Sequence, residues 1–285
     1  MKKTIARLLS VCSLVATSML LSGCDLAIFN TASPIAKSMG DTILLTAGLM
    51  LIVVIPTIFL SFWIPWSYRK ENTQAEYEPD WDHSSKVEVV VWGVPLVLIV
   101  VLAVITVIQT YALDPREPLL SDKEPMTIQV VAMDWKWLFI YPEEEIAVVN
   151  EVSFPVDQPV QFLLTSETVM NSFFIPRIGG QLYAMGGMEN RMNLIADQEG
   201  VYPGRSVQYS GYGFTGMNFD AIVGTEQDFD AWVAKVKAEG NVLDKPTYDA
   251  LLEKSRNHPV EYFSSVNPLL FKNIIEKYTG VQDGR

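Results

Sequence analysis

Few side chains in this sequence could hold a metal or act as a nucleophile. It has two cysteines, Cys12 and Cys24, and two histidines, His83 and His258. A bridged or imidazole-capped metal centre needs several such donors to converge, and these four are scattered. Met185, Met188, Met192 and Met217 offer thioethers, which suit Cu(I). Packing is the plainer reading, because methionine fills irregular interiors. Glu88 stands directly before a long uncharged run. A carboxylate at a membrane–water boundary can collect protons from water and pass them inward. As an ordinary first-turn acid it would only complement the helix dipole, worth about 0.3–1 kcal/mol.

The elements that would position these groups begin with an export signal. Lys2, Lys3 and Arg7 form a basic start, and Leu8 to Gly23 carries no charge. That run is shorter than the roughly 20 residues of a spanning helix and ends in Leu21-Ser22-Gly23-Cys24, which resembles the bacterial lipobox. Residues 1–23 are therefore expected to be removed, and Cys24 to carry the lipid at the head of an outer segment, 24–41. A diacylglycerol with a third acyl chain would anchor firmly. The mature chain would hold 18 Lys+Arg against 33 Asp+Glu, a net charge of −15. No basic stripe survives, which argues against nucleic acid as a partner. Cys12 leaves with the signal and Cys24 is spent on lipid, so no disulfide is expected.

Thr42 to Tyr68 and Val89 to Leu113 are 27 and 25 residues long and uncharged. Each is long enough to cross about 30 Å of hydrocarbon. Membrane helices are predicted over 42–68 and 88–113, with Pro56 and Pro95 tolerated inside them. Trp63, Trp66, Tyr68, Trp92 and Tyr111 sit near the ends, as interfacial aromatics do. With the lipidated end outside, the loop 69–87, carrying Arg69, Lys70 and Lys86, is cytoplasmic. Everything after Asp114 then faces the periplasm.

From Met126 the hydrophobic period changes to two. Ile128, Val130 and Ala132 alternate with Thr127, Gln129 and Val131; Met192, Leu194 and Ala196 form a second set, and Met217, Phe219 and Ala221 a third. Short strands between Pro and Gly turns predict an antiparallel sandwich or barrel within 114–224. After Gly224 the pattern turns helical. Thr225 is a predicted N-cap, Glu226 and Asp228 are acidic first-turn residues, and Phe229, Trp232, Val233 and Val236 share one face. Further helices are predicted at 246–256 and 267–278, making 225–285 a helical extension.

Several motifs resemble subunit II of the heme–copper terminal oxidases. They are the second-helix entry Lys86-Val87-Glu88 through Trp92-Gly93-Val94-Pro95, the aromatic segment Asp134-Trp135-Lys136-Trp137, the stretch Val169-Met170-Asn171-Ser172-Phe173-Phe174-Ile175-Pro176, and the loop Gln208-Tyr209-Ser210-Gly211-Tyr212-Gly213. The resemblance covers nearly all of the mature chain. It implies a two-helix transmembrane hairpin, then a cupredoxin-like antiparallel β-sandwich, then the helical extension.

Cytochrome c oxidases of that family hold a dinuclear copper centre in the sandwich, and here every ligand position departs from their pattern. Asn171 stands for the first histidine, and Tyr209 and Gly213 for the bridging cysteines. Gly211 takes the backbone-carbonyl position, Met217 stands for the second histidine and Asp220 for the methionine. The resemblance is therefore to the quinol-oxidizing branch, subunit II of the bo-type ubiquinol oxidases. It implies no redox cofactor in this chain. Hemes and the oxygen-reducing copper belong to a catalytic subunit I, further small membrane subunits are partners, and the complex is served by a membrane quinol. Glu88 matches the glutamate at the cytoplasmic mouth of a proton pathway. Trp135 matches an electron-carrying aromatic of the copper-bearing branch, and with no copper donor it is read as packing. The competing reading is an assembly or binding lipoprotein on a cupredoxin scaffold outside any oxidase; a cytochrome c oxidase subunit is opposed by the missing ligands.

Overall fold

The computed structural model describes residues 26–76, 78, 80–119 and 121–279. The expected signal and Cys24 lie outside the described residues. Helix α1 spans Pro34–Ser67 and α2 spans Ser85–Ala112, both long and apolar enough to cross a membrane. α1 begins eight residues before the uncharged run. The Ser33 hydroxyl accepts from the Ile35 N–H, and Pro34, which has no N–H to lose, opens the helix. At 1.5 Å per residue α1 is about 50 Å long and overshoots a 30 Å hydrocarbon layer. Phe62, Trp66, Trp92 and Tyr111 stand exposed around the two helices, as expected where lipid or a partner helix takes the place of water.

Twelve strands follow among the described residues. They are β1 Met126–Met133, β2 Lys136–Tyr141, β3 Ile146–Val149, β4 Glu151–Pro155, β5 Val160–Ser166, β6 Asn171–Phe174, β7 Gln181–Ala184, β8 Asn190–Leu194, β9 Gly200–Ser206, β10 Asn218–Gly224, β11 Asn241–Leu243 and β12 Glu261–Val266. They form a seven-stranded sheet, β11-β12-β3-β2-β1-β5-β8, facing a five-stranded one, β4-β10-β9-β6-β7. Most pairings are antiparallel, but β1 with β5, β10 with β4 and β11 with β12 run parallel. The interior is aromatic: Phe173 stacks on Phe219 at 5.1 Å, and Trp137 meets both edge-on at 5.4 and 5.9 Å. Such offset and edge-to-face pairs stabilise by about 0.5–1.5 kcal/mol each beyond area burial.

The segment after Gly224 carries the expected helices and, between them, two short strands. Helix α3 (Glu226–Glu239) has the capping box at Thr225 and Asp228 and buries Phe229, Trp232, Val233 and Val236. Helices α4 (Lys245–Leu251) and α5 (Leu270–Thr279) are shorter than the segments predicted at 246–256 and 267–278. Between them β11 and β12 extend the large sheet, with β12 pairing along β3. The physical reason is β3's outer edge, whose open N–H and C=O groups invite another strand.

The extension also explains why Val131, which alternates with the inward-facing Val130 and Ala132 on β1, is buried too. Val131, Leu138, Ile140 and Val149 form a second core with Leu251, Phe263, Phe271 and Ile274 on the sheet's outer face. The domain is thus three layers: small sheet, large sheet, and the extension's helices.

Two linkers tie the domain to the helices. Ala32 N–H donates to Arg177 O while Asp197 N–H donates to Ala32 O, at 2.8 and 3.0 Å. Asn193 Nδ2 lies within 3.4 Å of the carbonyls of Pro115, Arg116 and Glu117 just after α2.

Candidate functional site

The six positions singled out in the sandwich do not form one cluster of donors. Asn171 opens β6 and is buried; its Nδ2 donates to Val169 O at 3.0 Å, and its Oδ1 accepts from the Ser206 hydroxyl at 3.2 Å. Ser206 N–H donates to Met217 O, so Met217 lies close by, its side chain buried in the aromatic core. Tyr209, by contrast, is 73% exposed, and Asp220 is exposed on β10 opposite Pro203 and Glu151. Polar pairs and apolar packing therefore satisfy the buried members of the set, while the others face outward.

Gly211 and Gly213 are explained by one neighbour. The Trp135 indole lies along the loop, its Nε1 donating to Ser210 O at 3.2 Å. A Cβ at Gly211 would approach Trp135 Cζ2 to 3.2 Å, and one at Gly213 would fall 2.2 Å from Trp135 Cδ2. Gly211 also has φ +113, a conformation side chains rarely adopt. A thiolate-bridged dicopper centre does not fit these residues: thiolates and imidazoles are missing from all six positions, and a side chain at Gly213 has no room unless the indole moves. Trp135 itself has φ +67 at the tip of the β1–β2 hairpin. Among the described residues no group of three or more His, Cys, Asp or Glu is placed to hold a metal ion.

Of the four methionines weighed as thioether donors, Met192 and Met217 are buried in the core and Met188 is exposed.

Glu88 sits in the first turn of α2, its N–H donating to Ser84 O at 3.0 Å. His83 Nδ1 lies 2.8 Å from Glu88 Oε1, and His83 Nε2 lies 3.1 Å from Ser85 Oγ. This partner was not anticipated; the available signal was a histidine five residues ahead of the acid, just outside the helix cap.

Two buried charges also went unpredicted. Lys136, on β2, donates from Nζ to Leu251 O at 2.7 Å and Glu253 O at 2.8 Å, capping the end of α4. Burial lowers its pKa, while Glu261, Asp134 and Glu253 work against that shift. Glu167 accepts from Lys277 Nζ and, at 3.1 Å, from the Tyr248 hydroxyl. These three groups line a cavity of about 330 Å³ between α4 and α5.

Comparison with known proteins places this geometry. Residues 143–223 match the family described as cytochrome c oxidase subunit II, periplasmic domain, and residues 237–281 match the COX aromatic rich motif. The chain is 52% identical over 264 residues to cytochrome bo(3) ubiquinol oxidase subunit 2 of Pseudomonas aeruginosa, covering 93% of this chain and 80% of that one. It is 36% identical over 247 residues to quinol oxidase subunit 2 of Bacillus subtilis, covering 86% and 77%. Among solved structures, the periplasmic domain of cytochrome oxidase subunit II from Bradyrhizobium japonicum aligns with a TM-score of 0.40 and 21% identity, over 42% of this chain and 98% of that one. The chain belongs to the ubiquinol oxidase subunit II family of the heme–copper oxidases.

Proposed function

We propose that this chain is the non-catalytic subunit II of a proton-pumping quinol:oxygen oxidoreductase. It braces the heme-bearing subunit I, supplies the proton entry at Glu88, and holds no copper of its own. In this reading the hemes, the oxygen-reducing copper and the quinol chemistry reside in subunit I, and further small membrane subunits complete the complex. Residues 1–23 are a signal, Cys24 carries lipid, the helices span the bacterial inner membrane, and 69–87 face the cytoplasm. The sandwich at 114–224 and the extension at 225–285 stand in the periplasm.

One observation carries the proposal: the positions of Asn171, Tyr209, Gly211, Gly213, Met217 and Asp220 hold no thiolate and no imidazole, and Trp135 packs where a Gly213 side chain would grow. A water-soluble cytochrome delivers electrons through copper bound there. A shell without thiolate or imidazole leaves a membrane quinol, oxidized in the partner, as the electron source. The chain's own work is then mechanical and protonic. The dipole at the start of α2 favours a carboxylate at Glu88, and a carboxylate at a membrane boundary can relay protons.

The test is purification of the tagged full chain from membranes. Co-purifying b- and o-type heme spectra, quinol-dependent oxygen uptake and no purple dicopper chromophore are expected. A chain that purifies alone supports the assembly or binding lipoprotein instead. A dicopper signal from this subunit defeats the proposal outright.

A further inference from the structure

We infer that His83 is the proton-collecting partner of Glu88: its imidazole takes protons from the water of the 69–87 loop and hands them to the Glu88 carboxylate. This rests on the Glu88 reading above and adds a second residue to it.

The geometry supports a relay. Nδ1 of His83 lies 2.8 Å from Glu88 Oε1, within the reach that proton transfer between a positioned acid and base requires. Both side chains are open to water, 58% exposed for His83 and 54% for Glu88. The opposite ring nitrogen, Nε2, is 3.1 Å from Ser85 Oγ. An imidazole can accept a proton on one nitrogen and release one from the other, and rotation of the ring or exchange with water then restores the starting tautomer. His83 precedes the Ser84 cap, so it stands just outside α2 while its partner is fixed in the first turn.

The chemistry explains why a histidine is useful there. An imidazole exchanges protons with neutral water more readily than a carboxylate does, which is why histidines serve as proton shuttles. Other charged groups of this loop and turn are Arg69, Lys70, Glu71, Glu76, Glu78, Asp80, Asp82 and Lys86. Among the described residues, His83 is the one ionic partner of Glu88. The relay needs no oxidant or reductant: one proton enters the ring from water and one leaves to the carboxylate.

The experiment compares His83→Ala, Glu88→Gln and the double variant in the intact purified oxidase, reading quinol-dependent oxygen uptake against pH with and without added imidazole. His83→Ala is expected to slow turnover about threefold or more at alkaline pH, with a deficit that shrinks on acidification. Free imidazole should restore the rate, and sodium chloride at equal ionic strength should not. The double variant should be no slower than Glu88→Gln.

If Glu88→Gln is slow but His83→Ala keeps the parental rate at every pH, this inference falls and the Glu88 reading stands. If Glu88→Gln itself is unchanged, both fall. A slow His83→Ala enzyme that imidazole does not rescue, or whose loss adds to that of Glu88→Gln, marks a structural histidine and also overturns the relay.

Discussion

Trp135 and Gly213 occupy one space: a Cβ on the glycine would fall 2.2 Å from Cδ2 of the indole. The contact joins the tip of the β1–β2 hairpin to the loop that precedes β10. Gly213→Ala must therefore push a half-buried ring or the loop aside, and overpacking of this kind costs about 1–3 kcal/mol. Thermal unfolding of the full chain, followed by near-ultraviolet circular dichroism, should show the loss. Adding Trp135→Leu to Gly213→Ala should cost less than the two single losses combined, because the mutations share one contact. Strict additivity would show that the ring is not what excludes a side chain.

Lys136 fastens the large sheet to the extension through Leu251 O and Glu253 O. Lys136→Met keeps the apolar stem and removes both donors. Hydrogen bonds from a charged group contribute about 1.5–3 kcal/mol, and a loss of that size is expected in denaturant unfolding. Equal stability of the variant would mean that water replaces the ammonium at the end of α4.

His258 makes the same region sensitive to acid. Burial and the nearby Lys136 charge hold its pKa below 6.5, partly opposed by Glu261, whose Oε1 lies 2.9 Å from Nε2. The unfolded chain then binds more protons than the folded one between the lowered value and about 6.5, so stability falls as pH drops through that interval. The melting temperature should decline between about pH 7 and 5, and His258→Asn should flatten the decline. An unchanged slope in the variant would assign the acid sensitivity elsewhere.

Glu167 holds α5 in place: Lys277 Nζ and the Tyr248 hydroxyl donate to its carboxylate, and the Tyr278 hydroxyl donates to its carbonyl. Its side chain is buried while that of Lys277 is about half exposed. Breaking a fully buried pair costs about 3–5 kcal/mol, and the exposed partner reduces this to about 1–2 kcal/mol for Lys277→Ala. Limited proteolysis should cut sooner around α5 in this variant than in the parent. Identical digestion would show that Phe271 and Ile274 retain the helix without the ion pair.

Much of this architecture was legible in residue patterns. The two long uncharged runs required helices, because only backbone bonded within its own segment suits that length of apolar chain. Thr225 with Asp228 marked the start of α3, and Phe229, Trp232, Val233 and Val236 marked its inner face, all as observed. Of the candidate site, the donor losses could be read residue by residue, but their common neighbour could not: Trp135 is 78 positions before Gly213 and reaches it only through the fold. Alternation reports that a strand has an inner face without saying what covers the outer one, so the cover that α4 and α5 place over Val131 could not be read. Lys136 and Glu167 escaped for a related reason. A charged residue reads as exposed until its distant partners, here residues 251–253 and 277, are known.

The pairing of β12 with β3 sets an order of events for biogenesis. Residues 146–149 must wait for residues 261–263, more than a hundred positions later, before the bare rim of the large sheet is zipped shut. A chain still being threaded through the translocation channel cannot supply that last strand. Until it emerges, the exported half presents a sticky backbone edge to its neighbours. Stop codons between 224 and 261 should therefore yield aggregates or chaperone-bound fragments, a burden that falls on the quality-control machinery before any assembly with partner subunits begins.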